Sequence, residues 1–225
     1  MRKVINRAKV DLTIFEAWTP GLAYLLGYTI TDGCITTNNR YAVEWNLKDL
    51  EPLEMFKKMF NSEKKIEYTK RPHGDYYRFR LCGEAVAIKF MEFGILPRKS
   101  CSVVLPEIPN IVFFHFLRGV IDGDGSIVIC KGGKLNKSNY KRLTTSIVSA
   151  NKVFLEQIQA KVGIKSKIIK VIKQQFVLYR LTFDCSNAVK LLSKIYEHSE
   201  NLRLERKFSK WQEFQATGQT YRMVA

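Results

Sequence analysis

The sequence predicts an α+β protein built from two consecutive copies of one αββαββα unit. Three observations predict it. Helical and two-residue apolar periods follow one another in the same order twice along 225 residues. Two apolar helices both end on Asp-Gly, at Asp32-Gly33 and Asp124-Gly125. Later landmarks also recur: the helix caps Asp49 and Asn151, and the pairs Arg98-Lys99 and Arg206-Lys207. The offset between copies grows from 92 (124 − 32) to 102 (151 − 49) to 108 (207 − 99). A diverged duplication with longer loops in its second copy, chiefly 131–139, gives that pattern. The division is a basic N-terminal extension at 1–18, a first unit at 19–107 and a second at 108–225.

The elements follow in order. Thr19 and Pro20 suit the N-cap and first position of a helix. Leu22, Leu25, Leu26, Thr29 and Ile30 carry its apolar stripe, and Gly33 stops it. Strands are expected at 34–37 and 41–47 around the turn-prone Asn38-Asn39. Asp49 reads as the N-cap of a helix to about Phe60, with Leu53, Phe56 and Phe60 on one face. A hairpin at 64–71 and 76–82 turns near Pro72 to Asp75. A helix over 83–93 closes at Gly94. The second copy opens with an apolar helix from Pro109-Asn110 to Gly125. Strands follow at 126–131 and 140–148, joined by a long basic loop. Asn151 caps a helix to Val162 that Gly163 ends. A hairpin at 165–173 and 176–184 leads to a helix from Ser186 or Asn187 to about Glu197, and a last helix covers 203–215.

Composition narrows the function. The chain holds 37 basic and 21 acidic residues, a formal charge of +16, which implies a polyanionic partner. Residues 1–107 hold 17 basic and 13 acidic residues, whereas 108–225 hold 20 and 8. A hydrophobic fraction of 46% and an aromatic fraction of 12% argue against a disordered basic tail. No apolar stretch is long enough to span a bilayer, and no signal-peptide pattern follows the basic start. Five scattered cysteines (Cys34, Cys82, Cys101, Cys130, Cys185) suit neither a disulfide scaffold nor a zinc site. An intracellular setting is expected, in cytoplasm or organelle matrix, with no membrane partner.

Asp32 and Asp124 sit where a negative charge is disfavoured, because free carbonyls gather at a helix C-terminus. Such a carboxylate costs about 0.3–1 kcal/mol when exposed and asks for a compensating cation. Gly27 and Thr31, and likewise Gly119 and Gly123, lie four apart on one face of each helix. Small residues at that spacing let helix backbones approach closely. Packing along these faces would bring the two Asp-bearing ends together, where paired carboxylates suit divalent cations. A calcium loop starting at Asp122 fails, because Ile127 and Gly133 stand where it needs Gly and Glu.

The stretches Leu25-Leu26-Gly27-Tyr28-Thr29-Ile30-Thr31-Asp32-Gly33 and Leu117-Arg118-Gly119-Val120-Ile121-Asp122-Gly123-Asp124-Gly125 resemble two copies of the LAGLIDADG motif. The second is close to the pattern. The first departs in its middle, with Ile30 at a position that is not a metal ligand in the family. The resemblance spans about Thr19 to Phe214 and implies a pseudosymmetric monomer. It further implies two saddle-shaped, four-stranded antiparallel sheets packed through the motif helices. The family holds homing endonucleases, RNA-splicing maturases and some transcription regulators. Retention of both acids favours a site-specific endonuclease that cuts both strands of a long asymmetric DNA target. A non-catalytic nucleic-acid binder is the alternative.

The resemblance assigns Asp32 and Asp124 to two or three catalytic Mg²⁺ ions, a site that Mn²⁺ or Ca²⁺ could also occupy. It places Lys99 and Lys207 beside the scissile phosphates. Asn46, Lys48, Ser146 and Ser149, near strand ends, are candidates to position water. Double-stranded DNA would be read from the sheets. Strand alternation puts Arg78 and Arg80 on one face, Glu44 and Asn46 on another, and Arg142 and Thr144 on a third. Arg180 joins this set, and Lys131, Lys134, Lys137 and Lys141 would track the backbone. Arg78 and Arg80 show no evident twin in the second copy.

Overall fold

A computed structural model describes residues 10–37, 40–72, 74–97, 103–131, 141–173 and 175–218. After a 3₁₀ turn at Thr13–Phe15, the first unit runs α1 (Pro20–Asp32), β1 (Gly33–Thr36), β2 (Ala42–Leu47), α2 (Glu51–Met59), β3 (Glu67–Arg71), β4 (Gly74–Cys82) and α3 (Glu84–Glu92). The second runs α4 (Asn110–Asp124), β5 (Gly125–Lys131), β6 (Lys141–Ser149), α5 (Lys152–Val162), β7 (Lys167–Lys173), β8 (Phe176–Asp184), α6 (Ser186–Tyr196) and α7 (Glu205–Gln215). Each unit holds one antiparallel sheet, in the orders β1-β2-β4-β3 and β5-β6-β8-β7.

Local chemistry sets the element ends. Thr19 Oγ1 accepts from Leu22 N at 3.1 Å, and Pro20 supplies the preset first position of α1. Asn151 caps α5 by accepting from Val153 N and Phe154 N, and Gly163 ends it in the left-handed region at φ 65°. Gly33 differs from the expected left-handed stop, since its backbone is extended at φ −82°. It is required for another reason: a Cβ there would fall on the side chain and carbonyl of Thr29. Asp49 does not cap α2. That helix starts after Leu50 with no side-chain cap, and the Asp49 carboxylate takes both hydrogen bonds of Arg206 Nε, at 2.9 and 3.1 Å. A guanidinium in charge-assisted contact outcompetes a neutral backbone N–H.

Register makes the duplication exact at the level of residues. Gly33 faces Trp45 as Gly125 faces Ile147, and Arg78 faces Asn46 as Arg180 faces Val148. From β2 to β4 the offset to β6 to β8 is 102 (180 − 78), the first insertion lying between β5 and β6. Trp45, Phe79 and Leu81 turn inward from one sheet, and Ile147, Leu181 and Phe183 from the other. Both meet α1 and α4 in one continuous core. Of the N-terminal extension, Val10, Leu12, Ile14 and Trp18 pack on that core, and Phe15 enters it. Among the described residues no helix is long and apolar enough to cross a membrane.

Candidate functional site

The site is set by how closely α1 and α4 approach. A Cβ on Gly27 would land within 3.0 Å of the Phe116 carbonyl, and one on Gly119 at 2.7 Å from Tyr28 N. A Cβ on Gly123 would strike Thr31 and lie 2.8 Å from Asp32 Oδ2. Backbone thus meets backbone in the middle of the pair, and the Asp32 carboxylate rests against the last turn of α4. Asp124 ends that turn. It opens, with Thr31 and Ser149, on a cleft of about 270 Å³ also lined by Val148, Phe154 and Leu178.

The cation that α4's end asks for is Lys207. Its ammonium is buried (4% exposed) and donates to the carbonyls of Ile121, Asp122 and Gly125 at 2.6–2.7 Å and of Gly123 at 3.1 Å. Burial pulls its pKa down to about 8, opposed by the negative charges of Asp122, Asp32 and Asp124. The expectation of a phosphate-facing Lys207 therefore meets a lysine that closes a helix end. Its neighbour Arg206 ties the second unit to Asp49 of the first. Lys99 lies outside the described residues.

Under the paired ends lies a polar network that spacing did not reveal. Asp122, 1% exposed, accepts from Tyr24 Oη at 3.0 Å and Leu204 N at 2.8 Å. Its Oδ1 has no hydrogen-bond partner among the described residues. Arg118, fully buried, donates to the carbonyls of Ile195 and Leu202 and contacts His115 Nδ1 at 2.8 Å. Burial raises the Asp122 pKa from 3.8 to about 7, against the Leu204 N–H, Lys207, Tyr24 and Arg118.

Between those two values the folded chain keeps a proton that the unfolded chain has released. Stability therefore falls as pH rises through that window, by about 1.4 kcal/mol per pH unit at most. Asp122→Asn is expected to flatten the slope, measured as urea midpoints across the window. Asp122 and the Lys207 ammonium are coupled, so the lower part of the window, furthest from the Lys207 value of about 8, carries the comparison.

The remaining expected residues spread over the outer faces of the sheets. Glu44 faces Arg80, and Asn46 faces Arg78, so all four share one face rather than two. Arg78 binds Glu67 through Nε at 3.0 Å and Nη2 at 2.5 Å, and Arg80 Nη1 reaches Glu44 at 3.2 Å. On the second sheet Asp184 gathers Thr144 at 2.9 Å, Arg142 at 3.2 Å and Lys167 at 3.4 Å. Burial works to raise the Asp184 carboxyl, but these partners outweigh it and hold it below the usual range. Arg180 occupies Arg78's register, so that arginine does have a twin. Ser146 is buried and shares a 3.0 Å hydrogen bond with Ser126, while Ser149 Oγ accepts from Asn151 N at 3.1 Å. Lys48 Nζ lies 5.6 Å from the centre of the Tyr76 ring. Lys141 pairs with Glu213 at 3.2 Å. Lys134, Lys137 and the side chain of Lys131 lie outside the described residues.

Residues 113–196 match the model of a LAGLIDADG-like domain. No curated protein matches the sequence. Solved structures carry the likeness over both units. The I-LtrWI LAGLIDADG homing endonuclease bound to target DNA aligns with a TM-score of 0.63 at 13% identity, covering 90% of each chain. Meganuclease I-SmaMI bound to uncleaveable DNA aligns at 0.63 and 15%, covering 88% of this chain and 89% of that one. I-DmoI in complex with DNA and Ca aligns at 0.55 and 21%, covering 87% and 98%. At such identities the likeness is one of fold: two pseudosymmetric units in one chain.

Proposed function

We propose that the protein is a monomeric, site-specific DNA endonuclease that cuts both strands by divalent-metal-dependent phosphodiester hydrolysis. The observation that carries this reading is the meeting of two carboxylate-bearing helix ends, with Asp32 held against the last turn of α4 and Asp124 completing that turn. Nothing in the packing of two core helices needs a carboxylate at both ends. Magnesium is commonly held by one or two carboxylates, with substrate phosphates and water completing its shell. The hard oxygen donors Asp32 and Asp124 fit that role. When bound, such ions supply Lewis acidity at the phosphate and a water of lowered pKa.

The chain's own part is positioning. Asp32 and Asp124 belong to different units, so each lies beside a different strand of a pseudosymmetrically bound duplex. Water adds to phosphorus as the opposite P–O bond to the sugar breaks. Ser149 and Asp124 share the cleft in which one such water would sit. Lys207 shapes the α4 end rather than touching phosphate. The structures of I-LtrWI and I-SmaMI on DNA support the duplex as partner, and the I-DmoI complex with Ca supports a divalent ion.

The test is cutting of host genomic DNA and a random-site library, with Mg²⁺ or with EDTA, followed by sequencing of new ends. Discrete Mg²⁺-dependent ends are expected for the wild type. Asp32→Asn and Asp124→Asn should each abolish cutting, by at least about 100-fold, and retain binding. Binding at enriched sites without new ends would establish the non-catalytic binder instead.

A further inference from the structure

The two outer faces share one backbone register but not one chemistry. Around Arg78 in the first sheet stand Asn46, Glu67, Thr69, Tyr76 and Gly74. The residues in identical register around Arg180 are Val148, Ile169, Val171, Leu178 and Phe176. Each is its counterpart's number plus 102. These five positions, polar or glycine near one arginine, are apolar near the other, while Glu44 and Arg80 keep polar counterparts in Ser146 and Thr182.

These apolar residues do not serve the core. Along β8, Leu181 and Phe183 point inward, which leaves 176, 178 and 180 on the outer face. Phe176 is 68% exposed and Ile169 41%, and Val128 on β5 adds 42%. Aliphatic and aromatic groups left in water on a sheet mark an interaction surface. Its rim of Arg142, Lys167 and Arg180 belongs to the more basic unit, so the partner that fits it is polyanionic with apolar points. In the major groove the apolar point is the thymine C5-methyl group, whereas Arg and Asn read hydrogen-bonding edges.

We propose that the second unit reads a thymine-rich half-site through its C5-methyl groups, while the first reads hydrogen-bonding base edges. This rests on the DNA reading above. The specificity-determining residues are Val148, Ile169 and Phe176, with Arg180 fixing position among them.

The experiment is a binding selection from a randomised duplex library with the full chain and no divalent metal. Selected sites are then remade with uracil for thymine in one half or the other, which removes only the methyl groups. Burial of one methyl corresponds to about fourfold in affinity. Uracil in one half-site should weaken binding about fourfold per contacted methyl, and uracil in the other should change it little. Ile169→Glu combined with Val148→Asn, the first unit's residues at that register, should erase the uracil effect and leave the other half-site's preference intact. Both positions face outward, and an unchanged melting temperature verifies folding. Equal or absent uracil effects in the two halves would overturn the inference and leave DNA binding standing. A concentration-dependent dimer abolished by the same pair would also overturn it, by assigning the patch to a second copy. No enriched sequence at all would overturn the DNA reading itself.

Discussion

Gly119→Ala is expected to destabilise the protein by about 3 kcal/mol, the upper end of ordinary overpacking. The added methyl would meet the Tyr24 carbonyl and sit 2.7 Å from Tyr28 N. Those are main-chain atoms of a buried helix, which no rotamer change can move. The helices would have to separate, and Asp32 would shift relative to Asp124. Cutting should therefore fall even at temperatures where the variant stays folded. Gly21→Ala is the control in the same helix pair. Its methyl would find only ordinary contacts, at 3.8 Å to Thr19 and 3.9 Å to Met59. Removing a helical glycine there should leave stability unchanged or raise it by up to about 1 kcal/mol. Urea unfolding of the two variants checks the pair.

Lys207→Met is expected to cost about 3–5 kcal/mol, the range for removing one partner from a buried charged group. Four carbonyls at the end of α4 would lose their donor together. Asp122 would lose a buried positive neighbour, which pushes its carboxyl further up. Lys207→Arg should not restore stability, because a planar guanidinium cannot aim at four carbonyls clustered around one point. This separates two roles. A phosphate-facing lysine, once replaced, would leave the urea midpoint near wild type and remove only cutting. A helix-closing lysine lowers the midpoint, with or without DNA.

Much of the architecture was legible because each element carries its own period and punctuation. Thr19-Pro20, Asn151 and Gly163 act where local chemistry alone places them. The small residues of the motif helices were legible for the same reason, since their spacing states which face must be bare. Asp49 misled because a residue suited to capping is equally suited to an ion pair. The choice was made by Arg206, 157 positions away. The charged residues inside α4 were hidden in another way. Arg118 and Asp122 interrupt an apolar stripe, and spacing cannot say that their partners come from Tyr24, Ile195, Leu202 and Leu204. Arg180 as the twin of Arg78 was within reach. The 102-residue offset of the caps, applied to 78, points to it, although landmark spacing by itself does not state strand register.

The way the end of α4 is closed also orders the making of the protein. Tyr24, in α1, donates to a carboxylate 98 residues later, and that carboxylate accepts from a backbone N–H 82 residues later still. A chain emerging from the ribosome can pair the first sheet early, since β1 to β4 are near neighbours. The last turn of α4 is closed only by the later stretch from Ile195 to Lys207, whose lysine supplies the donor for the carbonyls of Ile121 to Gly125. The donors that close the end of α4, and with it the turn that carries Asp124, thus come from close to the end of the described polypeptide.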